Sequence, residues 1–383
     1  MVVKTYSVGP VTGRSMPFWC IGNPLSDPFG RAVLPAIDSL ETARLVAWAC
    51  EKGLIEFTGA HDDDLVQWDP NNLEDDLDEN SPAYAKLTAI KEILDAAGVG
   101  FHTMTCNLHS HLMFRRGGLT NSDENIRALA KAKVRRALRI GQLLGAVSFT
   151  YWVARDGWEV AVTIPAQTMA WLKDGLDDVT DYMQAKKMTN YMRATIEPKP
   201  NEPRGHMYLP TAGHAAAFTA CLKNPQFWGV NPELLQHESM ALLDAVTCVM
   251  NLVHLGKLSF LHFGNQIKGQ FDNDSPPLVG PEGLKETAAM FAMLTKLGWK
   301  GVVEFDCHML RTEGDPENPI DCRKQFIENC VDALSMALIM ASRLEPLECN
   351  GLSDSQVDLL ATMRMCGISR EEVAVISGHR KAE

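Results

Sequence analysis

Glu197 and Lys199 stand two residues apart in a proline-rich stretch, Ile-Glu-Pro-Lys-Pro-Asn-Glu-Pro-Arg-Gly over residues 196–205. On an extended path that spacing points both side chains to one face, so a carboxylate and an ammonium converge on one spot. The prolines fix φ and stiffen the backbone, which suits a site that must hold charges without solvent relaxation. A solvated surface turn is the plainer alternative. In His61-Asp62-Asp63-Asp64-Leu65 a histidine precedes three acids; a carboxylate bonded to one ring nitrogen fixes the tautomer and leaves the other for proton transfer. A third group has the character of metal ligands. Asp272 and Asp274 are spaced to chelate from one extended face, and Glu197, Glu233 of Asn-Pro-Glu, His237 and Asp306 add to them. Hard divalent cations take several such oxygens, and a pair of ions can clamp both oxygens of a reacting substrate. His109 and His111 lack a local carboxylate, so the run from Thr105 to His111 reads as pocket lining rather than a metal pair.

The elements that position these residues alternate. Strands are expected near Pro17–Ile21, Leu54–Thr58, Gly100–Cys106, Ala146–Trp152, Tyr191–Ile196, Phe227–Val230, Leu258–His262 and Gly301–Phe305. Helices are expected near Leu40–Lys52, Ala83–Ala97, Asn125–Leu144, Pro165–Met188, Gly213–Leu222, Leu235–Leu255, Pro281–Leu297 and Cys322–Arg343. This is the α/β pattern of a (β/α)8 TIM barrel, whose chemistry sits at the carboxyl ends of the strands. Those ends carry Trp19, His61 with Asp64, Asn107 with His109, Trp152, Glu197 with Lys199, Glu233, His262 and Asp306. Polar strand ends are common, but this concentration of acids, histidines and tryptophans exceeds what that explains. Residues 1–345 are read as the barrel and 346–383 as a C-terminal helical extension packing on the barrel or on a neighbouring subunit.

With 383 residues, 46% hydrophobic and 22% charged, the chain is of globular composition. A net charge of -12 argues against nucleic acid as a partner, which needs clustered Lys and Arg. The ten cysteines are scattered with no C-x-x-C pair, and no signal-peptide pattern or apolar run of membrane length occurs. A cytoplasmic protein with reduced cysteines and no membrane partner is expected.

The wording of residues 196–205, of His61–Leu65 and of Gly229-Val-Asn-Pro-Glu233 resembles the xylose (glucose) isomerase family, over a span from Trp19 to about Glu313. The resemblance implies a metal-dependent aldose/ketose isomerase working by hydride shift on an open-chain sugar, with two divalent ions such as magnesium, manganese or cobalt. Glu197, Glu233 and Asp306 would hold a structural ion, and Glu233, His237, Asp272 and Asp274 a catalytic one. His61 would promote ring opening, Asp64 would orient it, and Lys199 would donate to the developing oxygen. Trp19 and Trp152 would flank the sugar. Phe29 of Asp27-Pro-Phe-Gly30 would reach in from a neighbouring subunit, which implies a homo-oligomer, a dimer or tetramer.

Several positions depart from the family, all on the site face. His262 stands where an aspartate ligand is expected; imidazole can ligate and shifts preference towards manganese, cobalt, iron or zinc, the alternative being that His262 and His237 are ordinary packed histidines. One extra residue separates Glu233 from His237, which rotates a helical face by about 100° and turns His237 away unless the loop bulges. His109 replaces an aromatic, His308 a lysine, and Val153-Ala154 two glycines, adding bulk expected to narrow the pocket. The same barrel can host other chemistry, so the alternative is an epimerase, lyase or dehydratase acting on a sugar-like or specialised metabolite.

Overall fold

The computed structural model describes residues 9–23, 30–71, 77–234, 237–280, 283–344 and 351–377. Eight strands, β1 (Val11–Ser15), β2 (Phe57–His61), β3 (Gly100–Thr105), β4 (Ser148–Trp152), β5 (Arg193–Glu197), β6 (Trp228–Val230), β7 (Leu261–Phe263) and β8 (Gly301–Phe305), pair in parallel in the order β6-β5-β4-β3-β2-β1-β8-β7. A two-residue strand, Glu233–Leu234, continues β6 past Asn231-Pro232 and pairs with β7, with His262 opposite Glu233. Val230 also pairs with Leu258. The two ends of the sheet are therefore pieces of one stretch, and the sheet returns on itself as the connectivity of a (β/α)8 barrel requires.

Local sequence explains the helices between the strands. In Pro82–Ala97, Ser81 Oγ accepts the Tyr84 N–H at 3.0 Å, Pro82 opens the first turn, and Gly98 closes it with a φ of 75°. Glu124–Leu144 begins on the Asp123 cap and ends on Gly145. Its inner face buries Val134, Ala137, Leu138 and Ile140 and also, unusually, Lys133 and Arg136. Among the described residues no helix is long and apolar enough to cross a membrane. The nine cysteines among those residues are free, and Cys20, Cys50, Cys106, Cys307 and Cys330 are buried.

Three expectations need correction. The first strand is Val11–Ser15, and the apolar run expected as a strand at Pro17–Ile21 forms a short buried helix, Phe18–Gly22. Its continuous hydrophobicity fits burial on all sides in either geometry. The second strand lies at Phe57–His61, further along than expected, so His61 ends the strand itself. The helix expected over Leu235–Leu255 is broken into His237–Met240 and Ala245–His254, with Leu242 at a φ of 60° and Asp244 capping the second piece through Thr247 N.

Beyond the barrel, helices Asp354–Cys366 and Arg370–Ser377 follow. The first is tied back by Lys285–Asp358 at 2.6 Å and by Arg343 donating to the Met365 carbonyl at 3.0 Å. The boundary expected at residues 345–346 lies outside the described residues.

Candidate active site

Parallel strands bring all their carboxyl ends to one side, where a cavity of about 310 Å3 opens. Every expected site residue except Phe29, which lies outside the described residues, lines it: Trp19, His61, Asp64, Thr105, His109, Trp152, Glu197, Lys199, Glu233, His237, His262, Asp272, Asp274, Asp306 and His308. Asn23, Thr103, Asn107, Ser110 and Thr150 complete the wall. Val153 and Ala154 do not line it; both are buried off the cavity, so their bulk does not narrow it as expected.

The alternation of a strand places Glu197 two residues beyond Thr195 on one face of β5, and Asp306 two beyond Glu304 at the end of β8. Around them three groups bring donor atoms within 4.8 Å of one another: Glu197, His262 and Asp306; Glu197, Glu233 and His237; and Glu233, Asp272 and Asp274. Glu233 is common to the last two and Glu197 to the first two. His262 Nδ1 lies 2.9 Å from Asp306 Oδ2 and 3.3 Å from Glu197 Oε2. His237 Nε2 lies 2.5 Å from Glu233 Oε2 and 3.6 Å from Asp272 Oδ2. His237 is therefore not turned away from the acids.

These residues fit divalent cations. Burial and then the neighbouring carboxylates of Asp306, Asp274 and Glu197 push the Glu233 carboxyl well above its usual range. Burial is also the leading cause of the rise at Glu197 and Asp274. Glu233 Oε1 and the Nδ1 atoms of His237 and His262 are buried without a well-directed hydrogen bond. Buried anions packed this closely call for positive charge. Asp306 goes the other way, to about 2: burial raises it, but the His262 ring and the Trp19 indole outweigh that. Trp19 Nε1 donates to Asp306 Oδ1 at 2.7 Å, so Trp19 fixes that carboxylate as well as forming the wall.

Opposite the acids, Asp64 Oδ2 accepts the His61 backbone N–H at 2.8 Å and lies 3.1 Å from its Nδ1. Burial pulls the His61 pKa down, yet Asp64, with Asp62 and Asp306 beyond, outweighs this and the net shift is upward. Its neighbour His109, 5.5 Å away between ring centres, is held well below the usual range by burial and by the charges of His61, Arg155 and Lys133. His109 packs edge-on against Trp152 at 4.7 Å, and Trp19 against His61 at 4.9 Å. Lys199 forms a close ion pair with Asp272 and lies 3.7 Å from Glu202. His308 Nε2 is 3.8 Å from Asp274 Oδ2, and its backbone N–H donates to the Asp274 carbonyl at 2.7 Å.

Several residues beneath the cavity escape a reading of strand ends. Asn231 bridges Thr195 Oγ1, 2.5 Å away, to Glu197 Oε2 at 3.3 Å. Lys133, wholly buried, contacts Asp62 at 2.5 Å and Asp63 at 3.0 Å, and Asp62 Oδ1 accepts the Asn107 N–H at 2.8 Å. Glu304, inside the barrel, faces His102, His262 and Ser15. Burial would raise its carboxyl, but the two imidazoles hold it at about 2. The available signal was one acid, two residues before Asp306, in the apolar strand Gly-Val-Val-Glu-Phe.

No family model matches the chain. A xylose isomerase from Thermus thermophilus is 33% identical over 299 residues, covering 78% of this chain and 73% of the relative. Among solved structures, a D-allulose 3-epimerase from Methylomonas sp. superposes with a TM-score of 0.58 at 12% identity, covering 85% of this chain and 97% of that one. A xylose isomerase domain protein from Alicyclobacillus acidocaldarius gives 0.53 at 13% identity, with 85% and 98% covered.

Proposed function

The chain belongs to the xylose isomerase family, and on that premise we propose that it is a divalent-metal-dependent aldose/ketose isomerase acting on an open-chain sugar. The observation that carries this reading is the pair of ligand sets meeting at Glu197 and Glu233. Glu197, Glu233, His262 and Asp306 would hold one cation, and Glu233, His237, Asp272 and Asp274 the other. When bound, such ions polarise the carbonyl and hydroxyl oxygens of the substrate. His262 favours manganese, cobalt, iron or zinc over magnesium.

The chain's own groups have distinct tasks in this scheme. His61, its ring fixed by Asp64, takes and returns the hydroxyl proton during ring opening. Lys199, positioned by Asp272, donates to the oxygen that gains charge as hydrogen passes with its electron pair between adjacent carbons. Trp19, Trp152, Thr105 and His109 wall the sugar and exclude water, with His308 beside Asp274 at the rim. Residues 1–345 constitute the catalytic barrel and 346–383 an extension, in a cytoplasmic homo-oligomer, dimer or tetramer, whose neighbouring copy supplies Phe29. No nucleic acid or membrane partner enters the scheme.

His109 favours a second reading. An imidazole on the cavity wall can take a proton from carbon, as an epimerase requires. Proton NMR in deuterated water separates the two, using metal-loaded protein and a panel of pentoses and hexoses. Ketose formed without deuterium at the migrating position supports the isomerase; deuterium at the inverted carbon supports the epimerase. No turnover of any sugar by folded, metal-loaded protein contradicts both.

A further inference from the structure

His262 has two neighbours with opposite demands, and Glu304 settles which nitrogen answers each. Glu304 is fully buried on β8, paired in register with His262 of β7. Its Oε1 lies 3.2 Å from His262 Nε2, while Oε2 accepts from Ser15 Oγ at 2.6 Å and lies 3.0 Å from His102 Nδ1. His262 Nδ1 faces the Glu197–Asp306 site, and a neutral imidazole that offers that nitrogen's lone pair to a cation carries its one hydrogen on the other nitrogen, which here faces Glu304. His262 Nε2 is thereby the protonated nitrogen, and Nδ1 is the one presented to Asp306 and Glu197. Phe260 packs in T-shaped contact with both rings, 5.3 Å from His262 and 4.6 Å from His102 between ring centres.

We propose that Glu304 is a positioning residue: it fixes His262 with Nε2 protonated and Nδ1 turned to the Glu197–Asp306 site, and so sets that site's preference for cations that accept nitrogen. This deepens the metal-dependent reading above and rests on it. Histidine at 262 and glutamate at 304 form a matched pair. An aspartate at 262, the residue expected from the family, would put a second carboxylate against Glu304 with no hydrogen between them.

Equilibrium dialysis of cobalt and of magnesium, separately, against wild type, Glu304→Gln, His262→Asp and the double variant tests this. Loss of an outer partner of a metal-bound histidine typically weakens affinity by roughly 10–100-fold. Glu304→Gln is expected to lose cobalt affinity in that range with little change for magnesium. The double variant is expected to bind magnesium better than His262→Asp alone, the non-additive result expected of two side chains in contact. Unchanged cobalt affinity in a folded Glu304→Gln overturns the proposal and leaves the metal site standing; wild type that holds no cation overturns both. Should Glu304→Gln not fold, 15N spectra of histidine-labelled, zinc-loaded wild type decide, the His262 signals being identified by their loss in His262→Asp. Protonated Nε2 and metal-bound Nδ1 support the proposal, and the reverse assignment overturns it.

Discussion

Glu233 stands at the junction of two acidic groups, so its loss should disturb both. In Glu233→Gln, activity and at least one bound ion are expected to disappear together, read by metal analysis after dialysis and by turnover. Wild-type activity in a variant with reduced metal would remove the shared-ligand assignment. At this scale the sequence was informative wherever a polar residue ends a strand, as at His61, Glu197 and Asp306. It was silent about residues one pleat deeper. Glu304 sits in an apolar strand whose inward face cannot be known to be polar without His102, His262 and Ser15, which arrive from three other strands. Lys133 is equally hidden, because Lys-Ala-Lys-Val-Arg-Arg reads as a solvated basic face until the acids of the loop after β2 are placed against it.

That lysine ties an element to the site. Lys133 joins the helix Glu124–Leu144 to Asp62 and Asp63, next to His61, while Asp62 also holds Asn107 of the loop after β3. Removing one partner of a buried ion pair strands the other charge, at a cost of roughly 3–5 kcal/mol. Lys133→Met is expected to lose stability on that scale in urea unfolding; a loss under about 1 kcal/mol would show that Arg136, 3.2 Å from Asp62, carries the pairing alone. A second tie lies at Asp156, in the loop after β4, which accepts from Thr120 Oγ1 at 2.5 Å and from the Tyr151 hydroxyl. Burial pushes its carboxyl up to about 6 despite these donors. The folded state therefore holds this proton more tightly than the unfolded chain. The contribution is complete below about pH 4, the ordinary aspartate value, and is lost as pH rises through about 6, by about 3 kcal/mol in all. Asp156→Asn should flatten the fall in melting temperature between pH 4 and 7; an unchanged slope would assign that fall to other groups. Elements were legible where caps frame them, as at Ser81 and Gly98. They were misplaced where hydrophobicity misled, as at Phe18–Gly22, and where a break divided a long apolar pattern at Leu242.

For the molecule as a whole, alternation of strands and helices sufficed to expect the barrel, because parallel strands with crossover helices have few ways to close. The polar interior was not expected. Barrel centres are usually filled by branched apolar side chains, whereas here Thr103, Thr150, Thr195 and Asn231 form one buried chain of hydrogen bonds and Ser15, Glu304, His102 and His262 another. The first ends on Glu197 and the second on His262, so the core below the cavity orients the carboxylate and the imidazole that face it. All of this presumes cations at the top of the barrel. Anomalous diffraction from crystals equilibrated with manganese tests that directly. Two peaks per chain are predicted, one among Glu197, His262 and Asp306 and one among His237, Asp272 and Asp274, with Glu233 between them. No peak at either group, from a folded protein at saturating manganese, would contradict the account.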